Sequence, residues 1–135
     1  MNLLKEPIFR GFTMLKIKAI ENGVSVNKRM WIYGLLLHNN NIPNGRYYYI
    51  QLEYDHTKEY MVAMHSVGMY TGKQDVNGNM LFSNDIVKYW GGIGRIFYSD
   101  IYAGFRIWYD SYNSYDIPFD CERIGNTYEN KNLLK

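Results

Sequence analysis

The stretch MYTGKQDVNGNMLFSNDIVKYWGGIGRIFY, residues 69–98, decides the fold of this chain. It alternates runs of β-branched and aromatic residues with glycine and asparagine, which are typical of strand ends. Asn77-Gly78 predicts a hairpin-type turn. Gly91-Gly92 predicts a two-residue turn between strands at residues 86–90 and 93–98. The stretch therefore indicates short antiparallel strands.

The same reasoning, worked outward, predicts strands in both directions along the chain. Asn22-Gly23 and the Pro43-Asn44-Gly45 segment carry turn signals, whereas residues 55–68 fit either a short helix or an irregular crossing. The further predicted strands are residues 15–20, 30–37, 46–54, 80–82, 105–109 and 117–125, with one terminal turn at 131–134. Several short strands with frequent turns predict a mainly β, β-rich α+β protein containing a small barrel or sandwich.

Composition narrows the class of protein. The 135 residues suit one domain or two small lobes, and the net charge of +2 is too small to indicate nucleic acid or an anionic membrane. The single cysteine, Cys121, excludes an internal disulfide and suits a reducing cytosol. No stretch approaches the roughly 20 apolar residues of a membrane helix. We expect a cytoplasmic protein without membrane contact, rich in tyrosines that suit interfaces.

We divide the chain into three parts. Residues 1–13 lack periodicity and are interpreted as a leader extension. Residues 14–70 form an N-terminal β-rich subdomain and residues 71–135 a second subdomain, with the domain as a whole spanning 14–134.

The Gly91-Gly92 turn predicts a register for the strands around it. It places Lys88 across from Arg95, and the next loop places Trp108 across from Arg95. One face of the sheet is then a core, made of Val87, Ile96, Tyr98, Phe105, Ile107 and Tyr109. The opposite face is basic and aromatic, made of Lys88, Trp90, Ile93, Arg95, Phe97, Arg106 and Trp108.

The basic-aromatic face is the candidate binding face, and its functional residues would be Lys88, Trp90, Arg95, Arg106 and Trp108. The like charges of Lys88 and Arg95 would repel each other. A cation–π contact between Arg95 and Trp108, worth about 0.5–1 kcal/mol, would offset this. Such a face can bind nucleic acid, pack against the amino-terminal half, or contact a partner protomer.

Patterns for catalysis or metal binding fail on inspection. His38, His56 and His65 lack ligand spacing. Asp75 opens a calcium-like loop, but Met80 stands where glycine is needed and Ile86 where glutamate is needed. Cys121 lies between two carboxylates that raise the pKa of a thiol. We expect no catalytic residues, no metal and no cofactor, and a protein that is not an enzyme.

Four motifs in order are similar to those of the YopX family of phage and prophage proteins. They are Tyr-Thr-Gly at residues 70–72, Asp-x-Asn-Gly at 75–78, Asp-Ile-Val at 85–87 and Ile-Gly-Asn-Thr-Tyr-Glu-Asn at 124–130. The likeness covers residues 14–134, with 39–64 divergent. The family usually has glycine at the position of Asn84, and asparagine can adopt the same left-handed backbone.

The resemblance implies an SH3-like barrel in the C-terminal half, with a β-rich N-terminal part packed on it. It also implies a phage or prophage origin and the cytoplasm of a bacterial host. It implies no activity, because the family has no established reaction or ligand. We therefore expect a non-enzymatic binding or self-assembly module, whose partner is a protein or itself. The alternative is a nucleic-acid-binding protein that uses the basic-aromatic face.

Overall fold

The computed structural model describes residues 8–39, 47–52, 54–110 and 113–134. The predicted loop at Pro43-Asn44-Gly45 and the first seven residues lie outside these ranges. The chain divides into two compact units, residues 1–69 and 70–135. Thirteen strands and two short 3₁₀ helices occur in the described ranges, and every strand pair is antiparallel. The predicted mainly β fold class is confirmed.

The first unit contains a central sheet and a separate hairpin. Strand order in the sheet is β6-β5-β4-β1, and β1 also pairs with Gly68 and Met69 at the start of β7. The elements are β1 Phe9–Phe12, β2 Ile17–Glu21, β3 Val24–Lys28, β4 Trp31–Asn39, β5 Tyr47–Leu52, β6 Glu59–Val62, the 3₁₀ helix Met64–Ser66 and β7 Gly68–Gln74. Its core contains Ile32, Ile50, Leu52 and Val62.

The prediction that residues 1–13 form a leader extension is wrong for residues 9–13, which belong to the fold. Strand β1 pairs with β4 on one side and with the start of β7 on the other, so it lies inside the sheet. A Cβ atom placed on Gly11 would lie 2.8 Å from the Val62 side chain. Thr13 is fully buried, and its hydroxyl accepts a hydrogen bond from the Met30 amide. The four-residue strand is too short for its alternation to show in the sequence.

Strands β2 and β3 form a two-stranded sheet that we call the β2–β3 arm. Its turn is the predicted Asn22-Gly23 pair, with φ angles of 51° and 77°. Two left-handed residues match the right-handed twist of the flanking strands. The ladder runs from Ile17 opposite Lys28 to Glu21 opposite Val24.

The second unit contains a five-stranded sheet of order β12-β11-β10-β9-β13, while β7 pairs with β8. The remaining elements are β8 Met80–Phe82, β9 Asp85–Tyr89, β10 Gly92–Ser99, β11 Gly104–Trp108, β12 Ser114–Asp116, β13 Glu122–Asn126 and the 3₁₀ helix Lys131–Leu134. The two edge strands, β12 and β13, do not pair with each other. The strand pairs of the described residues therefore form an open sheet rather than a closed barrel.

The core of this unit contains three residues of the predicted core face. Val87, Ile96 and Ile107 are fully buried and belong to one cluster, together with Leu81, Tyr89, Ile117 and Cys121. Phe105 packs against the cluster. Tyr98 and Tyr109 are 49% and 51% exposed, so they flank the core instead of filling it.

The predicted Gly91-Gly92 turn is wrong by one residue. Tyr89 pairs with Gly92, so the turn residues are Trp90 and Gly91, with φ angles of 42° and 82°. Lys88 consequently lies opposite Ile93 rather than Arg95. The register changes by two residues, which keeps the paired residues of β9 and β10 on their predicted faces, while Trp90 moves into the turn.

Gly94 makes room for the Tyr89 ring, and Gly92 lies at ordinary contact distance from it. A Cβ on Gly92 would lie 3.7 Å from Tyr89 Cζ, and one on Gly94 would lie 3.2 Å from Tyr89 Cε1. On Gly94 the same atom would approach Ile107 Cγ2 to 2.4 Å and the Trp108 carbonyl oxygen to 2.8 Å. Gly94 is thus required where the Tyr89 ring and strand β11 approach the β10 backbone most closely.

The Asp75 carboxylate connects the Asn77-Gly78 turn to strand β13 through hydrogen bonds. Its carboxylate accepts hydrogen bonds from the amides of Asn77, Asn79 and Arg123, and from Asn79 Nδ2. Burial disfavours the charged carboxylate, but these hydrogen bonds outweigh burial and hold the pKa of Asp75 below its ordinary value of 3.8. The calcium-like motif of the sequence is therefore a turn closed by its own aspartate.

The substitution Gly94→Ala should destabilise the protein by about 1–3 kcal/mol, because the added methyl group overlaps Ile107 and the Trp108 carbonyl oxygen. Gly104→Ala is the matched control, since a Cβ there would meet only the Tyr102 carbonyl oxygen at 3.8 Å. Urea denaturation followed by circular dichroism gives both free energies of unfolding. Equal losses in the two variants would contradict the close approach at Gly94.

Asp75→Asn should lower the free energy of unfolding by about 1–3 kcal/mol at pH 7, because amide donors then lose a charged acceptor. The folded pKa of Asp75 is depressed, so its contribution is present above pH 3.8 and is lost as pH falls through the folded pKa. The difference in free energy of unfolding between wild type and Asp75→Asn should therefore narrow when the urea titrations are repeated below the folded pKa of Asp75. The control Asp120→Asn, at an exposed aspartate, should change the free energy of unfolding little both at pH 7 and below the folded pKa of Asp75. A stability difference between wild type and Asp75→Asn that does not change with pH would contradict the depressed pKa of Asp75.

Candidate functional site

Four of the five residues of the predicted binding face lie on three adjacent strands. Lys88 is on β9, Arg95 on β10, and Arg106 and Trp108 on β11. Lys88 is exposed, and the other three are half-buried. The nearest cross-strand charge to Lys88 is Glu122 of β13, which pairs with it directly. The predicted placement of Lys88 directly across from Arg95 is therefore wrong, because the turn lies one residue earlier.

Arg95 lies directly opposite Trp108, as the sequence predicted. The Arg95 guanidinium carbon is 5.5 Å from the centroid of the Trp108 ring. This distance is within the range of a cation–π contact. The pair places a planar cation over one face of an indole ring.

Arg106 is occupied by its own strand neighbours. Its Nε donates to Ser114 Oγ at 2.8 Å and its Nη1 forms an ion pair with Asp116 at 2.7 Å. The guanidinium also lies 3.9 Å from the centroid of the Tyr102 ring, and the side chain is only 13% exposed. Arg106 therefore fixes β12 and the β10–β11 turn and offers little charge to a partner.

Trp90 stands apart from the other four residues. It occupies the β9–β10 turn, where its side chain is 73% exposed. Its ring meets the Tyr89 ring edge-on, with centroids 6.0 Å apart. The exposed part of the predicted face is thus Lys88 with the Arg95–Trp108 pair, and Trp90 belongs to a second group.

That second group is an aromatic cluster, which we define as Tyr89, Trp90, Tyr109 and Tyr115. The ring of Tyr115 lies 6.1 Å from that of Tyr89 and 6.2 Å from that of Tyr109. Sequence reasoning missed this cluster because strand β12 was not predicted, which left Tyr115 unplaced. The six tyrosines at residues 89–115 were the available signal, but tyrosine also serves as an ordinary strand residue.

A surface pocket of about 510 Å³ lies at the same end of the sheet. Its walls are Gly91, Gly92, Ile93, Tyr109, Asp110, Leu133 and Leu134. The Asp110 carboxylate accepts hydrogen bonds from the backbone amide and side-chain amide of Asn113, at 2.9 and 3.0 Å. Burial raises the pKa of Tyr89, and the neighbouring Tyr115, Tyr109 and Asp110 raise it further. The pocket therefore combines the apolar side chains of Ile93, Leu133 and Leu134 with the Asp110 carboxylate.

The single thiol is in an unreactive setting. Cys121 is fully buried in the core of the second unit. Burial raises its pKa, and the charges of Asp75 and Asp120 add to this effect. Such a thiol remains protonated and is a poor nucleophile. In the described ranges, no three His, Cys, Asp or Glu side chains are grouped closely enough to hold a metal ion.

The motifs that resembled a known family have structural roles here. Asp85 accepts a hydrogen bond from the Phe82 amide at 2.7 Å, and Asn84 has the predicted left-handed backbone, with φ 73°. Asn126 accepts from the Glu129 amide, and Asn130 accepts from the Asn126 amide beside Gly125. These residues define turns, and none of them lines the pocket.

Comparison with known proteins agrees with these motifs. No curated protein matches the chain. No helix within the described residues is long and apolar enough to cross a membrane. The family described as YopX protein matches residues 9–135, nearly the whole sequence and including strand β1. The chain therefore belongs to the YopX family.

Proposed function

We propose that this YopX family protein is a non-enzymatic binding module whose partner is a protein, and that the β2–β3 arm makes the contact. The observation that carries this proposal is that none of the five residues in either strand of the arm is buried. A two-stranded hairpin is marginally stable on its own in water. An arm of this kind gains stability when a partner covers it.

The arm is fixed at its base and bare at its tip. At the base, Arg29 Nε donates to the Thr13 carbonyl oxygen at 3.0 Å, and the Arg29 guanidinium lies 5.2 Å from the centroid of the Phe12 ring. At the tip, Ile20 is 77% exposed and Val24 is 61% exposed. Apolar side chains this exposed contribute to binding when another surface removes them from water.

The proposed partner is a second copy of the chain, because both edges of the arm are free of further strand pairing in the described residues. In the described part of the chain, β2 and β3 pair with each other and with no further strand. Each therefore presents unpaired backbone groups that a strand of another molecule can join. Two copies can do this symmetrically, which gives a closed dimer. The resemblance and the single buried cysteine support a phage or prophage protein acting in the reducing cytoplasm of its host.

Light scattering coupled to size-exclusion chromatography tests the arm. We expect a mass above the 16.0 kDa of one chain, rising with protein concentration. Replacing both tip residues, Ile20→Ser and Val24→Ser, should return the mass to that of a monomer, because the apolar contact is lost. The matched control replaces Ile101 and Phe119 with serine, since both are apolar and even more exposed, at 90% and 89%.

Two results would contradict this proposal. A wild-type protein that stays monomeric at every concentration would remove a second copy as the partner. Equal masses for wild type and the tip variant would show that another surface makes the contact. Circular dichroism of each variant establishes that the fold is retained.

Nucleic-acid binding is a second candidate, and the Arg95–Trp108 pair favours it. An aromatic ring and a cation on the same face suit a single-stranded nucleic acid, because its bases can stack on the ring while the cation neutralises its phosphates. Lys88 adds an exposed charge on the same face. The candidate face is smaller than the sequence indicated, because Asp116 neutralises Arg106.

Fluorescence anisotropy with a labelled single-stranded oligonucleotide tests this candidate. We expect affinity to fall as salt is raised, and Arg95→Ala to reduce the slope of log K against log salt by about 0.7, for one lost phosphate contact. Lys18→Ala, at an exposed lysine of the arm, is the matched charge control and should leave the slope unchanged. Absence of binding at low salt, or equal slopes for the two variants, would exclude this face.

A further inference from the structure

The sequence contains Asn-Gly pairs at residues 22–23, 44–45 and 77–78. Asparagine followed by glycine is especially prone to spontaneous deamidation, because glycine has no side chain to hinder attack by its backbone nitrogen. The pair at 44–45 lies outside the described ranges. The other two pairs both occupy exposed turns, one at the tip of the β2–β3 arm and one between β7 and β8. These two turns differ in how firmly they are held.

The Asn22-Gly23 turn is held by little besides the strand ladder. Every residue from Glu21 to Ser25 is exposed. Within the described residues, the Gly23 amide and the Asn22 side chain make no hydrogen bond, and a Cβ on Gly23 would meet nothing within 4 Å. The ion pair between Glu21 and Lys28 is about half exposed at both side chains, so its contribution to stability is small. A two-stranded hairpin of this kind opens locally at low cost.

The Asn77-Gly78 turn is held at the nitrogen atom that would have to react. The Gly78 amide donates to the Asp75 carbonyl oxygen at 3.0 Å. The amides of Asn77 and Asn79 both donate to Asp75 Oδ1, at 3.0 and 2.8 Å. Asp75 is itself buried and accepts a further hydrogen bond from the Arg123 amide. The Gly78 nitrogen can therefore attack only after several of these hydrogen bonds break.

Deamidation at Asn22 is a two-step reaction that consumes one water molecule. First, the Gly23 nitrogen attacks Cγ of Asn22, so that the N–Cγ bond forms and the Cγ–Nδ2 bond breaks. The Gly23 amide proton leaves with Nδ2 as ammonia. Second, water opens the resulting five-membered ring, giving its hydroxyl group to the attacked carbonyl carbon and a proton to the Gly23 nitrogen. Attack at Cγ yields aspartate, and attack at the main-chain carbonyl yields isoaspartate.

We propose that Asn22 is a site of spontaneous deamidation at the tip of the β2–β3 arm, and that Asp75 protects Asn77 from the same reaction. Asn22 and Gly23 have φ angles of 51° and 77°. In a left-handed residue the next nitrogen points away from the side chain, so the ring forms when the turn opens. The product carries a new carboxylate beside Glu21, and isoaspartate also adds a methylene to the main chain. A two-residue turn does not accommodate this extra atom, so the register of the arm is lost.

Peptide mapping of the aged full chain by mass spectrometry tests the proposal. Trypsin separates the two sites, because Asn22 falls in the peptide of residues 19–28 and Asn77 in that of residues 74–88. Deamidation raises the peptide mass by one dalton, and fragmentation assigns the position. We expect Asn22 to convert at least about tenfold faster than Asn77, because the hydrogen bonds to Asp75 must break first. Equal rates, or faster conversion of Asn77, would overturn the proposal.

Two comparisons establish that the fold causes the difference. In guanidinium chloride, which unfolds the chain, the two pairs should convert at similar rates. In a folded Asp75→Asn variant, Asn77 should convert several-fold faster than in wild type, while Asn22 keeps its rate. Asp120→Asn is the matched control and should leave both rates unchanged, because Asp120 is exposed. The same preference for Asn22 in guanidinium chloride, or an unchanged Asn77 rate in folded Asp75→Asn, would overturn the proposal.

The effect of deamidation on association rests on the proposed function, because it requires a second copy at the tip of the arm. Ion-exchange chromatography separates the deamidated chain from the unmodified chain by its added negative charge. At equal concentration, light scattering should give a lower mass for the deamidated chain than for the unmodified one. Equal masses above that of one chain would overturn this regulatory effect. A wild-type chain that stays monomeric would contradict the proposed partner, and the deamidation rates would still decide the modification site.

Discussion

The close approach of Tyr89 and strand β11 to the backbone of Gly94 is the constraint on which the second unit depends. The space for a Cβ at Gly94 is already taken by Ile107 Cγ2, the Trp108 carbonyl oxygen and the Tyr89 ring. Ile107 and Tyr89 belong to the buried cluster, so this contact joins the turn, the core and the central strands. Gly92, two residues away on the same strand, lies within ordinary contact distance of the same ring, since a Cβ on it would be 3.7 Å from Tyr89 Cζ.

The polar residues of the family motifs are used inside the fold. Asp75 is 5% exposed and Asp85 fully buried, and each carboxylate accepts hydrogen bonds from backbone amides. Asn126 and Asn130 do the same in the last turn. Buried polar groups of this kind specify a unique arrangement, since removing one leaves its donors unsatisfied. A search for function among the motif residues therefore leads to turns, while the β2–β3 arm and the basic-aromatic face lie on residues that the four motifs do not contain.

The sequence predicted the sheet of the second unit well because its alternation is strong and its glycines are local signals. The pairing of β10 with β11, including Arg95 opposite Trp108, follows from a short loop and could be derived. The β9–β10 turn was misplaced because Gly91-Gly92 is the stronger turn signal, whereas the structure places Trp90 at the first turn position with a left-handed φ of 42°. Strand β12 and the aromatic cluster could not be derived, since three residues carry too little periodicity and the contacts are tertiary. The ion pair between Arg106 and Asp116 could not be derived either, because Asp116 belongs to the same three-residue strand.

The order of elements along the chain has a consequence for folding. Strand β13 pairs with β9, and the Arg123 amide reaches Asp75 across 48 residues. The Cys121 carbonyl oxygen likewise accepts from the Val76 amide. The Asp75 turn thus lacks its distant partners until strand β13 has left the ribosome, whereas the β9–β10 and β10–β11 hairpins involve only neighbouring residues. Because distant pairings carry the larger loop-closure entropy, they form late. The nascent chain therefore assembles these hairpins first and completes the second unit when β13 pairs with β9.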